Sequence, residues 1–259
     1  MNEIQKSDKD KINELINNRI PITTSNIPID KNSFVMFICF FWGTIIIILT
    51  NYWYFNLLFT QHNIFLYLFL PLNLYGNIWL FVFSSAVFST FFIRILKKIH
   101  PIKEGIFDLN TKEGKKEFNY YKLRFWFSYY AIWLGRAMPL PWVDYVIMKM
   151  LSSKIGKNVC LYDSWMDTEL IEIGDFVMTS LNTVLVSHII YNNYFIQLRI
   201  IIEKNAITGG QSIIAPGTYI EEGAILGASS STYIGQRLKG NLIHVGNPAL
   251  KSFPIKIGK

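Results

Sequence analysis

Four histidines are the side chains most able to carry chemistry in this chain: His62, His100, His188 and His244. An imidazole, with an ordinary pKa of ~6.5, is suited to take a proton from a hydroxyl or an amine near neutral pH. His62 falls in a short polar patch between two apolar runs, His100 follows the second run, and His244 sits near the end of a repeat and reads as structural. His188 alone lies in a break within that repeat, which makes it the candidate general base. A carboxylate or carbonyl should orient its other ring nitrogen. Asp163, Asp167 and Glu169 are all close enough in sequence to do so, and spacing does not choose among them. Asp163 and Asn182 are candidate acceptor contacts, although Asn182 reads more readily as a corner residue. No P-loop, no G-x-G-x-x-G and no serine elbow is present, and Cys39 and Cys160 are too far apart in sequence to suggest a disulfide framework or a metal knuckle.

His188 must be positioned by the repeat around it. Ile155, Leu161, Asp167, Ile173, Thr179 and Leu185 recur every six residues, and the series resumes at Ile202, Thr208, Ile214, Ile220, Leu226 and Thr232. Four residues after most of these lies a small or apolar residue, as at Val177, Thr183, Ala206, Ser212, Thr218, Ala224 and Ser230. Neither a helix (period 3.6) nor an ordinary strand (period 2) produces a period of six. The pattern predicts short flat strands joined by tight corners, with the lead residue inward and Gly, Asn or Asp at the corners, where unusual backbone angles are tolerated. One coil cannot bury its apolar side, so coils must stack into a left-handed parallel β-helix over residues 151–250. The break between Leu185 and Ile202 carries His188 with Tyr191, Tyr194 and Phe195, and insertions of this kind are where function concentrates.

The remainder of the chain reads as an anchor. Charged residues are 17% and apolar residues 51% of the sequence, greasier than a typical soluble domain. From Ser33 to Ile93 there is no Asp, Glu, Lys or Arg, which is room for two spans of ~20 residues. The organisation expected is a polar leader (1–32), a two-span transmembrane anchor (33–97), an interfacial helical linker (98–150), the β-helix (151–250) and a C-terminal tail (251–259). The first span starts near Phe34. The second has its core at Leu74–Ile93, in a run interrupted by Pro71, Asn73 and Gly76. Residues 118–150 mix Tyr120, Tyr121, Phe125, Trp126 and Trp133 with Lys122, Arg124 and Arg136. This segment reads either as one or two helices in the membrane interface or as a helical bridge packed on the next domain, ended by Pro139-Leu140-Pro141. Lys6, Lys9, Lys11, Arg19 and Lys31 precede the spans, and Arg94, Lys97, Lys98 and Lys103 follow them. The positive-inside rule then puts both ends in the cytoplasm. The same distribution explains the net charge of +7 without nucleic acid as a partner.

Ile173-Gly174-Asp175, Ser180-Leu181-Asn182-Thr183-Val184-Leu185 with His188, Ile213-Ile214-Ala215-Pro216-Gly217, Leu226-Gly227-Ala228-Ser229 and Val245-Gly246-Asn247-Pro248-Ala249 together resemble hexapeptide-repeat acetyltransferases of the sugar O-acetylating type. Asp167 to Asp175 and the Ser187-His188 loop, set after transmembrane segments, look like the C-terminal region of poly-lysine-synthetase-type nonribosomal peptide synthetases. The resemblance implies a homotrimer with acyl-CoA sites between subunits. It also implies acetyl-CoA or another acyl-CoA as co-substrate with no metal, and His188 as the base. Gly210 and Ala228, with Ser229 beside it, match positions whose backbone lines the pantetheine arm. Where the family often has a Thr-Lys pair, this chain has Ser231-Thr232-Tyr233 and later Arg237 and Lys239, which leaves the phosphate contacts unassigned. A zinc enzyme built on the same repeat needs three coil histidines, and one fits here. The function expected is a membrane-bound acyltransferase acting on a lipid-linked or surface-polymer acceptor at the bilayer. The alternatives are a condensing module fed by carrier-protein thioesters and a non-catalytic trimeric scaffold.

Overall fold

The structure, a computed structural model, describes residues 13–14, 16–19, 27–61, 64–140, 142–151, 154–161 and 163–255. Lys6, Lys9, Lys11, Pro21, His62 and Pro141 lie outside the described residues. Two compact units emerge: one of residues 1–28, 101–121 and 152–259, the other of 29–100 and 122–151.

The second unit is helical. A 3-10 turn at Lys31–Phe34, capped by the Asp30 side chain, leads into α1 (Val35–Gln61), which is followed by α2 (Ile64–Leu68) and α3 (Leu70–Ile99). Pro71 falls in the first turn of α3, where its missing N–H costs nothing. It therefore starts that helix rather than interrupting it, and the break lies at Phe69. Both α1 and α3 are long and apolar enough to cross a membrane. Cys39 Sγ lies 3.4 Å from Ser89 Oγ, whereas Asn51 Oδ1 accepts from the Asn73 and Asn77 amides at 3.0 and 3.2 Å. Low numbers meet high ones, so α1 and α3 run antiparallel. Two more helices follow where the aromatic linker was expected, α4 (Lys112–Arg136) and α5 (Val143–Met150). Within this unit Phe127 stacks on Phe92 with centroids 5.6 Å apart, and Trp142 stacks on Trp79 at 6.0 Å. The linker is thus not one domain. The strand Gly105–Asp108 and residues 112–121 of α4 belong with the repeat, and residues 122–151 belong with the long helices.

The first unit winds as a coil of three short strands per turn. Strands 18 residues apart pair in parallel: Lys154 beside Glu172, Cys160 beside Met178, Ile201 beside Tyr219, Tyr219 beside Arg237 and Ile207 beside Ile225. Three such sheets form. The inward residues stack as the six-residue period requires, Ile155 on Ile173, Ile202, Ile220 and Leu238, and Leu161 on Thr179, Thr208, Leu226 and His244. The small residues Val177, Thr183, Ala206, Ser212, Thr218 and Ala224 are fully buried beside the corners. Each corner uses the left-handed region: Asn158, Phe176, Asn205, Gly223 and Asn241 on one edge, Asp163, Asn182, Gln211 and Ser229 on another, with φ between 44° and 66°. Gly209 packs so close to the next coil that an added Cβ would lie 2.3 Å from the Ala228 nitrogen.

The structure corrects one element of the expected period. Trp165 pairs with Val184 and Met166 with Leu185, an offset of 19 rather than 18. Met166, 1% exposed, is therefore the inward residue of that column, and Asp167 falls one place beyond it. Residues 251–254, read from the sequence as a tail, form a strand antiparallel to Leu242–Val245.

Candidate active site

His188 opens a β-hairpin, His188–Tyr191 with Tyr194–Gln197, that leaves the coil between Leu185 and Ile200. The strand Gly105–Asp108 adds to the hairpin's other edge, with Ile106 opposite Ile196. Ile106, Ile189, Ile196, Leu198 and Ile234 make a small buried core beneath it. Burying that much apolar surface gives the inserted hairpin a fixed seat rather than a loose loop.

The one-residue shift that moves Asp167 off the coil interior brings its carboxylate to this hairpin. His188 Nδ1 lies 2.6 Å from Asp167 Oδ2, with both side chains buried. The same oxygen accepts from the Ser187 backbone N–H at 2.8 Å and the Ser187 hydroxyl at 3.0 Å. A third group, Tyr121 of α4, places its hydroxyl 2.5 Å from His188 Nδ1 and 3.4 Å from Asp167 Oδ1. Its ring packs against both His188 and Phe195, with centroids 4.7 and 5.0 Å away, and those two rings are 6.4 Å apart.

Proton counting fixes the arrangement. Nδ1 has room for one hydrogen or one lone pair, and a carboxylate has about four acceptor positions and no hydrogen to give. With the proton on Nδ1, it is shared between Asp167 Oδ2 and the Tyr121 oxygen, and the Tyr121 hydroxyl turns its own proton to Oδ1, so every group is satisfied. A lone pair on Nδ1 would face a carboxylate oxygen at 2.6 Å without a proton between them. The ring is therefore the Nδ1–H tautomer, and Nε2 is its basic nitrogen.

Of the three carboxylates open on sequence grounds, the structure brings Asp167 to His188. Glu169 is also buried, within 3.5 Å of the Gln197 amide, and Gln197 sits opposite His188 in the hairpin. Asp163 and Asn182 are elsewhere. Both are exposed corner residues in adjacent coils, and Asn182 N–H donates to the Asp163 carbonyl at 3.2 Å. Gly210, Ala228 and Ser229 continue that edge, and Ser229 N–H donates to the Gly210 carbonyl at 2.9 Å. His244 stacks inward and its Nε2 lies 2.9 Å from the Lys239 carbonyl, and His100 caps the end of α3. Among the described residues no group of three His, Cys, Asp or Glu side chains is placed to hold a metal. Tyr121 is the site residue that sequence reasoning missed. It lay hidden in a run of aromatics, and no spacing ties it to a histidine 67 residues further on.

A groove of about 620 Å³ lies apart from these groups, along the first sheet and its edge, lined by Lys154, Glu172, Asp175, Glu203, Lys204 and Glu222 among others. Its charges are largely paired: Lys154 with Glu172 at 2.8 Å, Lys204 with Glu222 at 3.1 Å, and Arg199 with both Glu172 and Glu104. Lys154, and then Arg199, hold the Glu172 carboxyl below its usual range.

No protein-family model and no curated protein matches the chain. Solved structures that it resembles include acetyltransferases and N-acyltransferases. A hexapeptide-repeat acetyltransferase from Vibrio cholerae is 17% identical, with 47% of this chain and 84% of that one covered at a TM-score of 0.40. A maltose O-acetyltransferase from Clostridium difficile is 20% identical, with 60% and 93% covered at 0.41. A variant of an N-acyltransferase from Bacillus cereus, in complex with dTDP-4-amino-4,6-dideoxyglucose and coenzyme A, is 20% identical, with 44% and 90% covered at 0.33.

Proposed function

We propose that this protein is a membrane-anchored acyltransferase, with its repeat wound as a left-handed parallel β-helix, that moves an acyl group from acyl-CoA to a hydroxyl or amine. The observation that carries this reading is the buried Asp167–His188 pair at 2.6 Å. It fixes the imidazole in one tautomer and leaves Nε2 as the nitrogen for proton transfer, the arrangement general-base catalysis needs. In the reaction, Nε2 takes the acceptor's proton as the oxygen or nitrogen attacks the thioester carbonyl. The C–S bond then breaks, and the coenzyme A sulfur leaves with the proton carried by His188. Asp167 stabilises the imidazolium formed between the two transfers, and acetyl is the acyl group proposed.

The edge formed by Asp163, Asn182, Gly210, Ala228 and Ser229 is the proposed path of the donor, with the backbone at Gly210 and Ala228 along the pantetheine arm and the two polar corners toward the acceptor. Cys160, Met178 and Ile207 on one outer face and Ile213 on the next are apolar and exposed, with Phe176 and Leu181 near them. Such faces suit a homotrimer with donor sites between subunits. Only 22% and 33% of the most apolar stretches of α1 and α3 are buried, and Phe34, Phe41, Ile48, Trp53 and Leu72 are each at least 59% exposed. Lipid is the solvent that suits such surfaces. Both ends are placed in the cytoplasm, and the acceptor is lipid-linked.

One observation favours a second reading. His188 is 2% exposed, so acyl transfer requires the cover over Nε2 to open when the acceptor binds. In a non-catalytic trimeric scaffold the same pair would simply hold the hairpin. The two separate when membranes containing wild type or His188→Ala are incubated with labelled acetyl-CoA. Transfer of label to extractable lipid or polymer by wild type alone supports acyl transfer, and no transfer by either supports the scaffold.

A further inference from the structure

The His188 ring is held by more than its carboxylate. Tyr121 reaches it from α4, buried to 2% exposure, and its hydroxyl stands against Nδ1 at 2.5 Å. Two oxygens thus flank one ring nitrogen, Asp167 Oδ2 and the Tyr121 phenol. The Tyr121 ring packs at 46° against the imidazole and 44° against Phe195, with centroids 4.7 and 5.0 Å away. A ring held on one edge by a single hydrogen bond still swings about its Cβ–Cγ bond, because that torsion is broad. A second oxygen on the same edge, carried by a packed aromatic, removes that freedom.

We propose that Tyr121 is a positioning residue for His188: with Asp167 it pins the Nδ1 edge of the imidazole, so that Nε2 is held on the line the acceptor's proton must travel. The proposal rests on the acyl-transfer reading above. It adds that a helix residue remote in sequence, and not only the paired carboxylate, sets the aim of the base. Proton transfer is sensitive to such aim, since misplacement of a reacting group by about 1 Å can cost on the order of a hundredfold.

Tyr121→Phe tests it, since the ring contacts remain and only the hydroxyl is lost. The full chain in detergent, with a membrane extract as acceptor source, is assayed for coenzyme A release from acetyl-CoA, and histidine-selective ¹⁵N labelling of the purified chain reports the His188 Nδ1–H, assigned by its loss in His188→Ala. The expected result is a fall in kcat of about tenfold, the worth of one hydrogen bond, with KM for acetyl-CoA unchanged. The Nδ1–H resonance should move and exchange with water at least about tenfold faster, and thermal unfolding should stay near wild type. An unchanged kcat in an active protein overturns the proposal and leaves acyl transfer standing. An unchanged Nδ1–H with a lowered kcat also overturns it, because the loss then has another origin. Wild type that turns over no acetyl-CoA is a failure of the acyl-transfer reading instead. In that case the Nδ1–H exchange still decides whether Tyr121 pins the ring: unchanged exchange overturns the contact, and faster exchange keeps it.

Discussion

Removing the Asp167 carboxylate should be costly in a way the structure lets one count. Four donors converge on it: the Ser187 N–H at 2.8 Å, the Ser187 hydroxyl at 3.0 Å, His188 Nδ1 at 2.6 Å and the Tyr121 hydroxyl at 3.4 Å. All four sit on residues that are at most 2% exposed. In Asp167→Ala the two hydroxyls can rotate to other partners and the Nδ1–H keeps the Tyr121 oxygen at 2.5 Å, but the Ser187 amide loses its acceptor. A buried donor left unmet costs roughly 1–3 kcal/mol and the other lost bonds to the carboxylate about 1 kcal/mol more, so the variant should lose about 3 kcal/mol, a large share of a typical domain's stability. Asp167→Asn behaves differently. Its amide oxygen takes the place of Oδ2, its NH₂ faces the Tyr121 oxygen, and the loss is held to about 1–2 kcal/mol. Thermal unfolding of the detergent-solubilised chain, followed by far-ultraviolet circular dichroism, reads the difference. At roughly 2–4 °C per kcal/mol for a domain of this size, Asp167→Ala should melt about 10 °C below wild type and Asp167→Asn less than about 5 °C below. In an active preparation Asp167→Asn should still lose on the order of a hundredfold or more in kcat, because the imidazolium loses its counter-charge. An Asp167→Ala protein melting within about 2 °C of wild type would refute the hydrogen-bond account of this site.

Two further perturbations bear on the coil. Phe176 is a bulky residue at φ 58° on an edge that otherwise uses Asn or Gly, and its ring is 54% exposed. Relieving the left-handed strain by Phe176→Asn should stabilise the isolated chain by about 1 kcal/mol, read as a higher melting temperature; analytical ultracentrifugation of the same variant should show weaker self-association if the exposed ring serves a trimer face. Glu172 is held below its ordinary value of 4.5 by Lys154 and then Arg199, so a depressed carboxylate adds stability above that pH and loses it as pH falls through the lowered value. Glu172→Gln should cost about 1 kcal/mol or less at pH 7, since the group is partly solvated, and the difference should shrink as pH falls below the ordinary carboxylate range, as urea titrations at pH 7 and in acid would show.

How much of this was legible depended on whether a residue's role is local. The stacking of Ile155, Ile173, Ile202 and Ile220, and the small residues at Thr183, Ala206 and Ala224, follow from a period that each coil repeats, so sequence carries them directly. The Asp167 position fails the same reasoning for a physical reason. A coil that is one residue short at the Asp163 corner keeps its strand register by moving Met166 inward, and the six-residue count then points at the wrong neighbour. Sequence left Asp163, Asp167 and Glu169 equal as partners of His188, because that slip decides among them. Nor does any local pattern announce that Gly105–Asp108 pairs with Tyr194–Gln197, or that Tyr121 faces His188. Such contacts are set by packing between distant segments. The reading of Pro71 as an interruption missed that proline at a first helical turn is a start signal, and the lone residue Phe69 before it carries the break.

The central claim is that His188 Nε2 moves a proton during acyl transfer from acyl-CoA. The direct measurement is the rate of coenzyme A release from acetyl-CoA by the purified full chain with a membrane extract as acceptor source, comparing wild type, His188→Ala and His244→Ala. The account predicts turnover by wild type and His244→Ala and a loss of at least about a hundredfold in His188→Ala. Turnover by His188→Ala at the wild-type rate would contradict it.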